Sequence, residues 1–189
     1  MEKALKQQPS NCIKVVIFGP ESTGKTTLSR QLAKHYNTLW VPEFAREYLQ
    51  EKWNKQQKIC EPEDLLPIAI GQIKLENELA QKTDSVLICD TDLLETKVYS
   101  EAYYSGTCDL VLNKYAIENT YDLYFLTYID TPWEPDDLRD KPNERERMFK
   151  AFKNALKTYN KPYVLLKGSE EKRLKKAIEE IDKLLEKQQ

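Results

Sequence analysis

Two rhythms of apolar residues alternate along the chain. Short runs rich in apolar residues, Lys14 to Phe18, Thr38 to Val41, Ser85 to Asp90, Asp122 to Thr127 and Tyr163 to Leu166, read as five strands. Between them apolar positions recur at three- and four-residue spacing, as a helix with one inner face requires. Leu28, Leu32 and Tyr36 mark the first helix, Glu43 to Trp53 the second, and Met148, Phe149, Phe152, Leu156 and Tyr159 a later one. Glu61-Pro62-Glu63-Asp64 is a helix start, with proline tolerated in the first turn and acids at the positive dipole end; that helix is expected to run to about Lys82. Leu93 to Tyr104 and Asp109 to Asn119 are helical in pattern with Gly106 between them, and Leu174, Ile178, Ile181 and Leu185 line a closing helix with a charged outer face. The near-continuous apolar content of Ser85 to Asp90 predicts a strand covered on both faces. Strands alternating with helices predict an α/β sheet with helices on both sides, residues 1–189 forming one domain. The segment Thr131 to Asn143 breaks the pattern with three prolines, a tryptophan and clustered charges, which is loop chemistry.

The first strand runs into Gly19-Pro20-Glu21-Ser22-Thr23-Gly24-Lys25-Thr26 and then into the first helix, the strand–loop–helix setting of a phosphate-binding P-loop. Two glycines let the backbone fold around an anion, its amides turned inward with the helix N-terminus behind them. Lys25 is placed to reach β and γ phosphates, and the Thr26 hydroxyl to ligate Mg2+. With five strands this predicts a three-layer P-loop NTPase fold around a five-stranded parallel sheet, whose ligands lie outside the carboxyl ends of the strands.

Composition narrows the partners. Charged residues are 32% of the 189 but nearly cancel at a net charge of −2, so no basic surface points to nucleic acid and no acidic tail to a solvating segment. Small molecules are the expected partners. Cys12, Cys60, Cys89 and Cys108 form no Cys-x-x-Cys pair, which fits a reducing compartment without structural zinc. No run approaches membrane-spanning length and no apolar stretch follows the polar start, so a cytoplasmic protein without a membrane partner is expected.

The strand ends supply the candidate chemistry. After the second strand stands Glu43, with Arg46 one helical turn on; Glu43 can accept a substrate hydroxyl proton, bond a sugar, or simply complement the helix dipole. After the third stand Asp90 and Asp92, which share a side if the chain stays extended. Asp90 fits the carboxylate that holds the Mg2+ shell, whereas Asp92 also fits a helix cap. Arg139, Arg145 and Arg147 sit in or beside a loop that can close over a triphosphate, where phosphoryl transfer rewards cations; taken singly, each reads first as a solvated arginine. Trp133 can stack on a planar ligand, Trp40 reads as core, and the lone His35 as structural.

The blocks GPESTGKTTL, VPEFAREYL, LICDTDLLETKVYSEAYY and YDLYFLTYIDTPWEPDDLRD, in that order from about Ile13 to Tyr163, resemble the ribosylnicotinamide kinase domain of the NadR family. That resemblance implies transfer of the ATP γ-phosphoryl to the 5′-hydroxyl of nicotinamide riboside, giving nicotinamide mononucleotide in NAD salvage. It places ATP on Gly19, Glu21, Ser22, Thr23, Gly24, Lys25, Thr26 and Thr27 with Arg139, and Mg2+ near Thr26 and Asp90. The riboside falls near Glu43, Arg46, Asp92 and Trp133, with a lid at about residues 131–147; Lys25, Glu43, Asp92 and Arg139 are the candidate catalytic set. The sequence departs from the family in two respects. Many members begin with an adenylyltransferase domain carrying H-x-G-H, which a sequence with one histidine lacks, so synthesis of the dinucleotide is not expected. Where some members have tryptophan directly before the glutamate, Pro42 stands here, with Trp40 two positions earlier.

Two other readings follow from the same residues. A related kinase can act on another nucleoside or a vitamin precursor such as thiamine, and a P-loop can also serve a nucleotide switch or regulatory ATPase without an acceptor. A guanine switch needs Asn-Lys-x-Asp after the fourth strand, but Asn113-Lys114-Tyr115-Ala116 lacks the aspartate and precedes that strand.

Overall fold

A computed structural model describes residues 2–136, 138 and 142–188. Five strands, β1 (Ile13–Phe18), β2 (Trp40–Val41), β3 (Val86–Asp90), β4 (Leu123–Thr127) and β5 (Tyr163–Leu166), form one parallel sheet in the order β2-β3-β1-β4-β5. The helices are α1 (Lys25–His35), α2 (Phe44–Gln56), α3 (Pro62–Ala80), α4 (Leu93–Tyr103), α5 (Leu110–Glu118), α6 (Arg145–Thr158) and α7 (Glu170–Gln188), with 3-10 turns at Glu2–Leu5 and Pro142–Glu144.

Alternation along the buried strands sorts side chains between two layers. Val16, Phe18, Leu87, Cys89, Tyr124 and Leu126 face α4 and α6, whose Leu94, Val98, Met148, Phe152 and Leu156 complete one core. Ile13, Val15, Ile17, Val86, Ile88 and Phe125 face α1 and α7, meeting Leu28, Leu32, Ala177 and Ile181. Both sheet faces are thus covered, and the three-layer α/β arrangement is the one the apolar rhythm predicts. A third cluster joins α3, α4 and α5 through Leu65, Ile73, Leu93 and Leu112, extending the protein beyond the sheet on the α3 side.

The second strand is shorter than the apolar run predicts. Only Trp40 and Val41 pair with β3; Thr38 instead donates its hydroxyl to the Val86 carbonyl at 2.7 Å, and Pro42 stops the ladder. A charged pair lies inside between the sheet and α3: Lys14 of β1 meets Glu76 at 3.0 Å, and Tyr121 and Gln7 donate to the same carboxylate at 2.7 and 2.8 Å. Because all strands are parallel, Phe18, Val41, Asp90, Thr127 and Leu166 end at one edge, and the site is built there.

Candidate active site

The P-loop owes its shape to local constraints. Gly19 and Gly24 have φ of 143° and 82°, and a Cβ on Gly19 would lie 2.5 Å from the Thr127 hydroxyl. Thr23 donates to the Pro20 carbonyl at 2.7 Å and shares a second 2.7 Å bond with Thr127, tying the loop to β4. Gly24 caps α1 without a side chain, so the first-turn amides of α1 keep their donors for a ligand. Above the loop opens a cavity of about 500 Å³. Glu21, Ser22, Thr23, Gly24, Lys25, Thr26 and Thr27 all line it.

Lys25 is 8% exposed and donates to the carbonyls of Gly19 and Pro20 at 2.8 and 3.3 Å. Burial pulls its ammonium down, and Glu95, Glu43 and Asp90 together more than offset that, leaving it raised. Glu95 of α4 is the nearest carboxylate, 3.0 Å from the ammonium, and its other oxygen accepts from the Gly19 amide at 3.3 Å. Burial drives the Glu95 carboxyl upward against the pull of Lys25.

Asp90 and Asp92 part company. Thr91 between them has φ of 84°, so the chain is not extended there and the two side chains do not share a side as simple alternation predicts. Asp92 turns inward: it caps α4 by accepting from the Glu95 amide at 3.0 Å, takes the Tyr124 hydroxyl at 2.7 Å, and is absent from the cavity lining. Burial pushes its carboxyl up to about 7.

Asp90 is 1% exposed, and neither carboxylate oxygen has a well-formed hydrogen bond among the described residues. Burial and then Glu43 push its carboxyl up to about 6, while Thr26, Lys25 and Arg30 draw it back. Two unused buried carboxylate oxygens beside a hydroxyl are a donor set that fits Mg2+, which keeps its waters and takes phosphate oxygens for its remaining positions. No group of three or more His, Cys, Asp or Glu among the described residues is arranged as a metal cage, in keeping with so sparse a set.

Glu43 holds the N-cap position of α2 yet makes no capping bond with its side chain. Gln72 of α3 does that work, accepting from the Phe44 amide at 2.8 Å and donating to the Pro42 carbonyl at 3.2 Å. Phe44 lies on Gly71, where a Cβ would come within 2.2 Å of the ring. The Glu43 carboxylate therefore lines the cavity, as does Arg46, which pairs with Asp136 at 2.8 Å.

The segment after β4 covers the mouth. Thr131 donates to the Ser22 carbonyl at 2.8 Å, the Glu134 amide donates to the Ser22 hydroxyl at 2.9 Å, and Arg145 holds both Thr131 and Ser22 carbonyls at 2.9 and 3.1 Å. Trp133 lies against the Arg145 guanidinium, 5.7 Å away, and outside the cavity lining; Arg147 pairs with Glu144 on the surface. Arg139 lies outside the described residues.

Beyond the phosphate end the lining becomes apolar and aromatic: Leu49, Ile59, Leu65 and Ile68 face Tyr99, Tyr103 and Tyr104. The Tyr99 hydroxyl is buried with no partner among the described residues. Trp40 is not part of this lining; it lies at the sheet edge under the Arg30 guanidinium at 5.3 Å.

Sequence reasoning passed over Glu95, Gln72, Arg173 and the three tyrosines. Glu95 stands three residues after the cap Asp92, where D-x-x-E reads as a capping box, but only the Asp92 half of that box forms. Arg173 of α7, 4% exposed, donates to the Thr23, Tyr128 and Gly168 carbonyls at 2.6, 2.8 and 3.1 Å and pairs with Asp130. The signal was a lone arginine in a lysine-rich helix, since only a guanidinium fork reaches several carbonyls together.

The AAA-domain family model matches residues 14–173. The chain belongs to that family. Within it, the chain is similar to the trifunctional NAD biosynthesis/regulator protein NadR of Salmonella typhimurium strain LT2, 30% identical over 142 residues, 75% of this chain and 34% of that protein. This AAA-domain chain thus spans about a third of the curated relative it matches. In three dimensions it is similar to a crystal structure of NadR protein in complex with NR (TM-score 0.72, 23% identity, 85% of this chain and 47% of that one). It is also similar to deoxyadenosine kinase from M. mycoides (TM-score 0.68, 16% identity, 90% and 100%). These likenesses fix the three-layer α/β P-loop fold. Among the described residues no helix is long and apolar enough to cross a membrane.

Proposed function

We propose that this chain is an ATP-dependent kinase that phosphorylates the 5′-hydroxyl of nicotinamide riboside in NAD salvage, working with Mg2+ in the cytoplasm. One observation carries the reading: the phosphate cradle opens into a tyrosine- and aliphatic-lined chamber with Glu43 at the junction. A switch or acceptor-free ATPase has no use for such a chamber. The kinship with NadR, and the NR in the similar structure, support nicotinamide riboside as the acceptor.

In the reaction the acceptor oxygen forms a bond to the γ phosphorus as the bond from that phosphorus to the bridging oxygen of ADP breaks. Glu43 takes the hydroxyl proton; Lys25 and the α1 amides hold the charge that spreads over the phosphoryl oxygens. Thr26 and Asp90 hold Mg2+, which supplies further charge neutralisation. Tyr99 and Tyr103 of α4 and Tyr104 at its C-cap line the chamber and would supply aromatic surface to a pyridinium, a cation that aromatic faces attract. An aromatic platform there would take the place of the tryptophan that some relatives have where Pro42 stands here. Thr131, Pro132 and Glu134, which line the cavity, belong to the lid proposed at about residues 131–147, and Arg139, outside the described residues, stays its candidate cation.

The test is ADP release from Mg-ATP with nicotinamide riboside, other nucleosides, thiamine or no acceptor. Stimulation by nicotinamide riboside alone is expected. A preference for a purine deoxynucleoside would move the chain toward the deoxyadenosine kinase whose whole length it matches in fold; turnover without any acceptor would defeat the kinase reading.

A further inference from the structure

Glu95 occupies a position that neither the P-loop motif nor the capping pattern requires. Its backbone amide serves Asp92, while its side chain leaves the helix cap and enters the phosphate cradle. There each oxygen faces a separate anion-binding group, the Gly19 amide at 3.3 Å and the Lys25 ammonium at 3.0 Å. The oxygen beside Lys25 has no aligned donor, because Lys25 spends its hydrogen bonds on the Gly19 and Pro20 carbonyls. The pair is held by charge in a site where Glu95 is 2% exposed.

We propose that Glu95 is a removable counter-anion of the phosphate cradle, a positioning residue that holds the Lys25 ammonium until nucleotide phosphates take it over. The chemistry is that of competing anions. Of the two groups Glu95 meets, Lys25 lines the cavity and is the cation a P-loop offers to phosphate, and two anions cannot share one ammonium in a dry site without mutual repulsion. The oxygen facing Lys25 is held by charge alone, so phosphate can take over the ammonium while the other oxygen keeps its bond from the Gly19 amide; until then Glu95 neutralises a buried cation. Nucleotide affinity is therefore the difference between phosphate and Glu95 for the same ammonium.

The inference rests on nucleotide binding by the P-loop and not on the acceptor, so binding of ADP and AMP-PNP to the full chain by calorimetry tests it separately. Glu95→Gln keeps the shape and removes the competing charge; ADP is expected to bind about fivefold tighter, the scale of one partly screened ion pair. The KM for ATP should fall in parallel while the KM for the acceptor stays put. Glu95→Asp keeps the charge but draws it back by one methylene, and an intermediate gain is expected. A merely structural glutamate predicts loss of affinity or none. If folded Glu95→Gln binds ADP no tighter than wild type, the proposal is wrong; should that variant not fold, an unchanged or weaker affinity in Glu95→Asp decides against it equally.

Discussion

Replacing Arg173 by lysine keeps the charge but removes the fork, and the structure gives the size of the effect. The guanidinium serves three carbonyls and Asp130; a single ammonium on a shorter reach can keep Asp130 and about one carbonyl. Two charge-assisted bonds are lost, and the one to Thr23, which is 1% exposed, leaves a buried carbonyl without a donor. At about 1.5 kcal/mol each, the lower end for bonds from a charged group, the loss is about 3 kcal/mol. For a chain of this size that lowers the Tm by about 5–10 °C. Thermal denaturation by circular dichroism at neutral pH measures it, with Lys176→Ala on the exposed side of the same helix as control. Since the Thr23 carbonyl belongs to the P-loop, the KM for ATP should rise as well. An Arg173→Lys protein melting within 2 °C of wild type, a margin below about 1 kcal/mol, would refute the assignment of Arg173 as the clamp on the P-loop.

Glu43→Gln should lower kcat by about 10²- to 10⁴-fold, the usual worth of a positioned base, with the KM for ATP little changed; near-normal turnover would remove Glu43 from the chemistry. Asp92→Asn should retain turnover, because Asn keeps the cap and a partner for Tyr124 and the residue does not line the cavity; a loss beyond about tenfold in a folded variant, more than a kcal/mol of transition-state stabilisation, would return Asp92 to the catalytic set. The same variant tests a pH effect. The Asp92 carboxyl, raised from 3.8 to about 7 by burial, binds its proton more tightly folded than unfolded. Its contribution to stability is full below about pH 4 and lost as pH rises through about 7, so the fall in Tm over that window should flatten in Asp92→Asn.

The central strands β1, β3 and β4 were legible because they are buried along their whole length, which writes them as short, near-continuous apolar runs. The P-loop was legible because its glycines and Lys25 do their work locally. Glu43 was legible only as an ambiguity, since an acid complementing the helix dipole and one facing a substrate look alike in sequence; the fold adds that its side chain makes no capping bond, the Phe44 amide going instead to Gln72, remote in sequence. Asp92 misled through an assumption about geometry: alternation holds for extended chain, and the left-handed turn at Thr91 cancels it. Glu95 was hidden by a pattern that is locally sufficient, a capping box, until the third dimension offered its carboxylate a buried ammonium. Trp133 had the chemistry for stacking, but the guanidinium of Arg145, which also fastens the lid base, took its ring.

The bond from Arg173 to Thr23 joins positions 150 residues apart and runs from the last helix to the first loop. The nucleotide cradle is therefore finished last. During synthesis the loop leaves the ribosome early, but the guanidinium that fixes its backbone arrives only once α7 has emerged and docked on β1, β4 and α1. A nascent chain halted before α7 carries every P-loop residue and still lacks the strut that sets the spacing of its amides.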